Sequence, residues 1–310
     1  MYSTLPTTRS ASLASMTGIE ARRFARHPAF LIGTLTALAV TLWAYLSGDT
    51  VTVDGVSHPE GLLSGPIIPA FFIGLPSLIV AARLVRSTDA AGEVMGAAPG
   101  TETRRTLAVA GACIVPLAAG FLWLAELFLI AAVWEPHPSE LWFPTVNDAY
   151  VWSILLALGP VACLGGGLLG VLVGRWMRFR GASVLVVVAL VALDILGQAP
   201  VMGEADTARW RLWLPWAMWH SGGNTAEPYD YVPAYTQVLH PGNPVTYLLY
   251  VLVLCALAVT GAVWHDRTAR STRLRLVTYA LIVAAVGLVV VTALTGMTEP
   301  LVSSTFPSTD

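Results

Sequence analysis

Seven long apolar runs, separated by short polar segments, make up most of this 310-residue chain. About 20 predominantly apolar residues form a helix that crosses a bilayer, so each run is a candidate membrane span. The runs cover 29–46, 66–85, 106–133, 150–173, 181–199, 244–264 and 276–296. The pattern therefore predicts an all-α polytopic membrane protein.

Composition supports the membrane assignment. The chain is 55% hydrophobic and 12% charged, whereas a soluble domain carries about 25% charged residues. A net charge of −2 argues against a nucleic-acid partner. Cys113, Cys163 and Cys255 lie inside apolar runs without metal-ligand spacing, so we expect no disulfide and no metal site.

The distribution of arginine predicts the orientation in the membrane. Arginine near span ends marks the cytoplasmic side, and the outer segments contain only Arg209 and Arg211. We expect a multi-pass protein of the cytoplasmic (inner) membrane with its N-terminus inside and its C-terminus outside. The predicted divisions are a cytoplasmic segment (1–28), a transmembrane domain (29–297) and a C-terminal tail (298–310).

The N-terminal segment is expected to be disordered up to residue 17 and helical after it. Thr17 and Glu20 have the spacing of a capping box, and Arg22, Arg23 and Arg26 follow at helical spacing. An amphipathic helix on the membrane surface would turn these arginines toward anionic headgroups. The alternative is that they are simple flanking charges of the first span.

A charged bridge, residues 83–105, joins the second and third spans. We expect a short helix over Asp89–Ala97, followed by a turn at Pro99. Glu102 lies beside two arginines, so we expect a local ion pair there that tolerates replacement. The alternative is that the whole bridge is a solvated loop.

Two predicted spans contain prolines that should distort a helix. The second span is interrupted by Pro69 and Pro76. The third, 106–133, would be about 42 Å long as a helix, which is more than a hydrocarbon core of about 30 Å needs. It must tilt, kink at Pro116 or project from the membrane.

The fourth span contains Gly166, Gly170 and Gly174 at four-residue spacing. On a helix these glycines share one face, where a second helix can approach closely. We predict that they form a helix-packing face.

A polar, aromatic segment, Pro200–Asn243, follows the fifth span. Its four tryptophans recur every three residues and would spread over one half of a helix, which Pro215 would break. They are Trp210, Trp213, Trp216 and Trp219. Tryptophan favours the membrane interface, so we expect an interfacial or re-entrant element on the outer side. Simple anchoring is the alternative.

Two carboxylates, Asp194 and Glu126, fall within predicted spans, where ionisable groups are costly and often functional. Asp194 lies just past mid-membrane and Glu126 lies near the outer face. Both are candidates for a transport path, and Asp194 is predicted to matter more. The alternative is that Asp194 is a satisfied structural polar group.

No nucleotide-binding, nucleophile-elbow or dinucleotide motif occurs in the chain. The glycine-rich stretch 164–174 lies inside a span, where it cannot cradle a phosphate. We therefore expect that the chain is not an enzyme and holds no cofactor by itself.

In its layout the chain resembles the permease subunit of a type-2 ABC transporter, the bacterial drug, antibiotic and polysaccharide exporter class. The similarity rests on the arginine helix before the first span, on the bridge, and on the outer element between the fifth and sixth spans. In the bridge, Glu93, Gly96, Pro99 and Arg104 resemble the family's Glu–Gly–Pro–Arg pattern. The family typically has six spans and a cytoplasmic C-terminus, so we expect six to seven spans here.

The resemblance implies that the bridge docks onto a separate ATPase subunit through Asp89, Glu93, Gly96, Pro99 and Arg104. ATP and Mg²⁺ would be bound by that partner. A second permease copy or paralogue would complete the transporter.

An exporter of a drug-like, antibiotic, lipid or polysaccharide substrate is expected, in contact with membrane lipid. The alternative is an ion-coupled secondary transporter that uses Asp194 and Glu126, although no inverted repeat of broken spans is visible.

Overall fold

The computed structural model describes most of the chain. The described residues are 12–47, 51–53, 56–58, 67–95, 101–134, 146–177, 179–198, 211–216, 219–221, 237–239, 241–298 and 301–303.

Within these ranges the chain forms ten α-helices. The helices are α1 (Leu13–Ala25), α2 (Pro28–Ser47), α3 (Leu75–Met95), α4 (Glu102–Ala112), α5 (Ile114–Val133), α6 (Asp148–Leu158), α7 (Pro160–Trp176), α8 (Ala182–Gln198), α9 (Pro244–Val263) and α10 (Thr272–Leu294). The strands have two or three residues each: β1 (Val51–Val53), β2 (Val56–His58), β3 (His220–Ser221), β4 (Gln237–Leu239) and β5 (Leu301–Ser303). The fold is all-α, as predicted.

Six helical stretches among the described residues are long and apolar enough to cross a membrane. They are Pro28–Ser47, Ala70–Thr88, Glu102–Val133, Asp148–Trp176, Pro244–Val263 and Thr272–Leu294. The protein is therefore a multi-pass membrane protein, and the prediction from the hydropathy pattern is confirmed.

The ends of several helices meet at one face of the bundle, termed the arginine-rich face. It contains the start of α4 at Arg104, the end of α7 at Arg175 and the start of α10 at Arg273. The side chain of Glu102, at the start of α4, lies 2.6 Å from that of His265, just after α9. These contacts place the start of α4 beside the end of α9.

Helix α8 is shorter than the six stretches, with 17 residues. At the arginine-rich face, Arg86 Nη1 donates to the carbonyl of Phe179, just before α8, at 3.0 Å. At the opposite face, the hydroxyl of Tyr247 in the first turn of α9 donates to the carbonyl of Leu214 at 2.7 Å. The chain must cross between these points, and 17 helical residues cover about 25 Å. We therefore assign α8 as a seventh crossing.

The third predicted span consists of two helices, α4 and α5, that meet at Cys113. Pro116 explains the break, because its ring clashes with the carbonyl four residues earlier and its nitrogen has no hydrogen to donate. Helix α5 alone has 20 residues and covers about 30 Å, which is enough for the hydrocarbon core. Of the three arrangements considered for the long run, the kink is the one observed.

The fourth predicted span is also divided, at Gly159 between α6 and α7. This break was not predicted, although Pro160 begins α7 at a position where proline is tolerated. Helix α5 passes the joint closely, since a Cβ on Gly120 would collide with the backbone of Pro160. The second span, by contrast, continues through its prolines by means of a π-helical turn, Ala70–Gly74.

Helices α3 and α7 form the most extensive helix pair. A Cβ on Gly166 would overlap the backbone of Gly74, and a Cβ on Gly170 would overlap the backbone of Leu78. Gly174 continues this contact against the next turn of α3. The three glycines therefore form the packing face that their spacing predicts.

Helix α1 begins earlier than predicted and packs into the bundle. Its N-cap is Ser12, not Thr17, and the prediction of disorder is wrong for residues 13–17, which are helical. Thr17 lies against Gly111 of α4, and Phe24 is fully buried. The apolar face of α1 is therefore covered at least partly by protein and does not rest on the membrane alone.

At the opposite face, β3, β4 and β5 form an antiparallel sheet in that order. The sheet joins the segment after α8 to the C-terminal tail, with Val238 opposite Val302. Gly242 and Met297 exchange two backbone hydrogen bonds, of 2.9 and 3.0 Å. Gly242 has a φ of 128°, which favours glycine. These hydrogen bonds connect the start of α9 to the end of α10.

Where it is described, the tryptophan segment is not α-helical. Arg211 has 3₁₀ geometry and residues 212–216 form turns and a bend, so no continuous helix runs through Pro215, as its proline predicts. Trp213 is 45% exposed, whereas Trp216 and Trp219 are 4% and 0% exposed. Trp219 packs edge-on against Tyr247, with ring centroids 5.5 Å apart. Trp210 lies outside the described residues.

Candidate functional site

Five polar side chains join three elements at the arginine-rich face, and we term them the polar cluster. Glu102 and Thr103 are in the first turn of α4, Arg175 is in the last turn of α7, and His265 and Asp266 follow α9. All five are at helix ends, where the apolar runs stop and polar side chains begin.

Glu102 is the centre of the polar cluster. Its Oε1 lies 2.6 Å from Nδ1 of His265 and 3.8 Å from Nη1 of Arg175. The side chain of Arg175 is only 1% exposed, so water screens its attraction to a carboxylate less than it would at the surface. The expected local ion pair with the neighbouring arginines is wrong, because Glu102 instead reaches two distant elements.

Asp266 also binds the first turn of α4, through Thr103. Its Oδ2 accepts hydrogen bonds from the N–H and the hydroxyl of Thr103, at 3.2 and 2.7 Å. Its Oδ1 accepts from the N–H and the hydroxyl of Thr268, at 2.9 and 2.7 Å. The Thr268 hydroxyl and the other three donors lower the pKa of Asp266 from 3.8 to about 2, so this carboxylate is ionised at neutral pH.

Five residues were predicted to couple the bridge to an ATPase: Asp89, Glu93, Gly96, Pro99 and Arg104. Helix α3 continues from its membrane span into the bridge without a break and contains the first two of them. The predicted helix over Asp89–Ala97 is present at residues 89–95, where it is the end of α3 and not an element of its own, and Gly96 and Ala97 lie outside the described residues. Asp89 and Glu93 lie on this extension. The bridge therefore leaves the bundle as a continuation of a packed span.

The rest of the predicted coupling set is at or before α4. Gly96 and Pro99 lie outside the described residues. Arg104 is half-buried in the first turn of α4, and its N–H donates to the side chain of Thr101 at 3.3 Å. This cap fixes the point at which the bridge re-enters the bundle.

Arg23 of α1 contacts the first turns of the bridge, at Ser87. Its Nη1 donates to both carboxylate oxygens of Glu20, at 2.9 and 3.0 Å, and its Nη2 donates to the hydroxyl of Ser87 at 2.8 Å. Arg22 and Arg26 are exposed. All three arginines assigned to headgroups are therefore exposed, and Arg23 in addition makes contacts within the protein.

The two carboxylates within spans have different surroundings. Asp194 on α8 is 3% exposed, and neither oxygen has a hydrogen-bond partner among the described residues. Glu126 on α5 is half-buried, and only its Oε2 is both buried and without such a partner. A buried carboxylate without partners is costly when ionised, so Asp194 is the more unusual of the two groups. Neither residue belongs to the polar cluster.

Sequence reasoning missed most of the polar cluster. His265 and Asp266 are each 163 positions from their partners in α4, and no spacing rule connects residues that far apart. The pairs are Glu102 with His265 and Thr103 with Asp266. One indication of these contacts was present in the sequence, because all four residues lie at ends of apolar runs assigned to the same side of the membrane.

The described residues contain no group of three or more His, Cys, Asp or Glu that could hold a metal ion. The three cysteines are buried and free. No protein-family model, curated protein or solved structure matches the chain. The polar cluster, the bridge and the carboxylates within spans are therefore the features that bear on function.

Proposed function

We propose that the chain is the membrane-spanning permease subunit of an ATP-driven ABC transporter of the type-2 exporter class. The arginine-rich face is then cytoplasmic, in agreement with the positive-inside rule, and the membrane is the cytoplasmic one. A separate ATPase subunit binds ATP and Mg²⁺ and docks on the bridge. A second permease copy or paralogue completes a transporter for a drug-like, antibiotic, lipid or polysaccharide substrate.

The observation that carries this proposal is the firm attachment of both ends of the bridge to the bundle. On one side the bridge is the end of α3, the helix that packs most extensively against α7. On the other side, Glu102 and Thr103 hold the start of α4 to the ends of other spans. A connector attached in this way transmits the movement of a docked subunit.

Movement of the bridge would reach two further spans through the polar cluster. Glu102 contacts Arg175 at the end of α7 and His265 after α9. Packed helices shift as rigid bodies more readily than they deform. A displacement of α4 would therefore be passed to α7 and α9, and ATP binding on the partner could change the pathway between the spans.

The first test concerns docking and replaces Glu93 by arginine. A charge that is desolvated at the centre of an interface costs about 2–5 kcal/mol when its partner is lost. Glu93→Arg should therefore reduce co-purification of an ATPase subunit with the tagged chain from native membranes. Asp148→Arg is the control, with the same charge change at an exposed residue at the start of α6. Undiminished co-purification with Glu93→Arg would refute docking at this residue.

The second test concerns transmission and uses Glu102→Gln. This change leaves the extension of α3 intact but removes the charge that faces Arg175 and His265. The ATPase should still co-purify, whereas substrate-stimulated ATP hydrolysis in nanodiscs should fall. Unchanged stimulation would show that the polar cluster does not transmit the movement, and would restore the expectation that Glu102 tolerates replacement.

The burial of Asp194 favours a second candidate, an ion-coupled secondary transporter. A carboxylate whose two oxygens have no hydrogen-bond partner in the described part of the chain can bind and release a proton or cation during transport. Proteoliposomes that contain the chain alone distinguish the two candidates. Gradient-driven transport that is lost in Asp194→Asn but kept in Glu126→Gln would favour the secondary transporter, and transport only with an added ATPase would favour the ABC permease.

A further inference from the structure

A groove of about 500 Å³ lies between the ends of α7 and α9 at the arginine-rich face. It is lined by Leu172, Val173, Trp176, Met177, Gly261 and Trp264. The lining is almost entirely apolar, and the groove is shallow and broadly open at the surface. Its volume is within the range of ligand sites, roughly 300–1,000 Å³.

Two tryptophans hold the walls of this groove in place. Trp176 Nε1 donates to the carbonyl of Gly261 at 2.9 Å, and its ring packs edge-on against His265, with centroids 5.6 Å apart. Trp264 packs edge-on against Tyr279 of α10, with centroids 6.4 Å apart. These contacts fix both tryptophan rings, so the groove is present before any ligand binds. Tryptophan favours the depth at which acyl chains meet headgroups.

A guanidinium group lies beside the groove. Arg270 is exposed, and its Nε donates to the carbonyl of Trp264, a lining residue, at 3.0 Å. Its two terminal nitrogens make no hydrogen bond or ion pair with the described part of the chain. The acids of the neighbouring polar cluster are engaged, Asp266 by threonines and Glu102 by His265. The positive charge of Arg270 is therefore available beside the apolar groove.

We propose that this groove binds one anionic phospholipid of the bilayer. An acyl chain lies along the apolar lining, and the phosphate accepts hydrogen bonds from the terminal nitrogens of Arg270. Guanidinium groups bind phosphate through parallel N–H donors, and basic sites between membrane helices bind acidic headgroups. Because Trp176 contacts His265, the lipid stabilises the helix ends at the polar cluster. This site does not depend on the proposed transport function.

The headgroup is tested by native mass spectrometry of the purified full chain with equimolar phosphatidylglycerol and phosphatidylcholine. Wild type should retain phosphatidylglycerol preferentially. Arg270→Gln should lower that preference about fivefold, the effect of one arginine near an anionic surface. Arg180→Gln, which removes an exposed arginine just before α8, should retain it. Equal retention of the two lipids by wild type, or an unchanged preference in Arg270→Gln, would overturn the proposal.

The groove itself is tested on the unmodified protein, so that misfolding of a variant cannot decide the result. Phosphatidylglycerol with a diazirine in one acyl chain is photolysed with the protein in nanodiscs. Adducts should concentrate on residues 172–177 and 261–264. Adducts spread evenly over the exposed faces of α2 and α10 would show ordinary bilayer contact and would overturn the proposal.

Discussion

At the scale of single residues, two tryptophans only six positions apart differ in burial. Trp219 is fully buried against Tyr247, whereas Trp213 is 45% exposed and contributes its backbone carbonyl to a hydrogen bond with Tyr250. Trp219→Ala should therefore destabilise the protein by about 3–5 kcal/mol, the cost of deleting a buried aromatic ring.

Trp213→Ala is the matched control, because the substitution keeps the carbonyl that accepts from Tyr250. It should change stability by less than about 1 kcal/mol. The measurement is the thermal midpoint in detergent, followed by size-exclusion chromatography. Equal losses in the two variants would contradict the observed difference in burial.

The carboxylate of Asp266 should make stability depend on pH in the acid range. Its pKa is lowered from 3.8 to about 2 in the folded protein, first by the Thr268 hydroxyl. A lowered carboxyl pKa stabilises the fold fully above pH 3.8, and this contribution is lost as the pH falls toward 2. The stability difference between wild type and Asp266→Asn should therefore be largest above pH 4 and shrink below it.

Thr268→Val provides the matched variant, because it removes the hydroxyl that lowers the pKa most. It should move the loss of stability to higher pH than in wild type. Urea titrations in detergent at closely spaced pH values measure both effects. A difference between wild type and Asp266→Asn that stays constant from pH 5 to pH 2 would refute this role for Asp266.

At the scale of elements, the close contact of α3 and α7 rests on glycine. A Cβ on Gly170 would overlap the backbone of Leu78, so Gly170→Ala forces the two helices apart. Overpacking of this kind costs about 1–3 kcal/mol. The expected result is a lower thermal midpoint and a smaller monodisperse fraction after heating.

Gly287→Ala on α10 is the control, because a Cβ there would meet nothing within 4 Å. It should leave stability unchanged or raise it by up to about 1 kcal/mol, the helix preference of alanine over glycine. If Gly170→Ala behaves like Gly287→Ala, the helices are less closely packed than the structure indicates.

At the scale of the whole molecule, α10 separates two positions that lie at opposite faces of the bundle. Ser271 caps α10 at the arginine-rich face, and Ser303 lies on β5 in the sheet at the other face. With a cytoplasmic arginine-rich face, a membrane-impermeant thiol reagent should label Ser303→Cys in intact cells and should not label Ser271→Cys.

The natural cysteines are buried, so unmodified protein should give a low background in this experiment. Labelling of Ser271→Cys alone would reverse the orientation. Labelling of both positions from one side would contradict the crossing of α10.

The sequence alone was sufficient to predict the membrane class, the approximate spans and the glycine face of α7. These properties are local, because an apolar run of about 20 residues must bury its backbone in helical hydrogen bonds within lipid. A kink near Pro116 was among the predicted possibilities, since a missing N–H acts within one turn. The lengths of the bridge helix and of α1 were missed, because neither is set by an apolar run.

The tertiary structure decided which distant residues meet. In lipid, helices associate through packing and hydrogen bonds, because their apolar surfaces find equally apolar solvent in the acyl chains. Glu102 therefore contacts His265, 163 positions away, and does not pair with its neighbouring arginines. Trp219 is buried against Tyr247, a contact that the spacing of the tryptophans did not indicate. Such pairings depend on the relative positions of helix ends, and hydropathy along the chain carries no information about those positions.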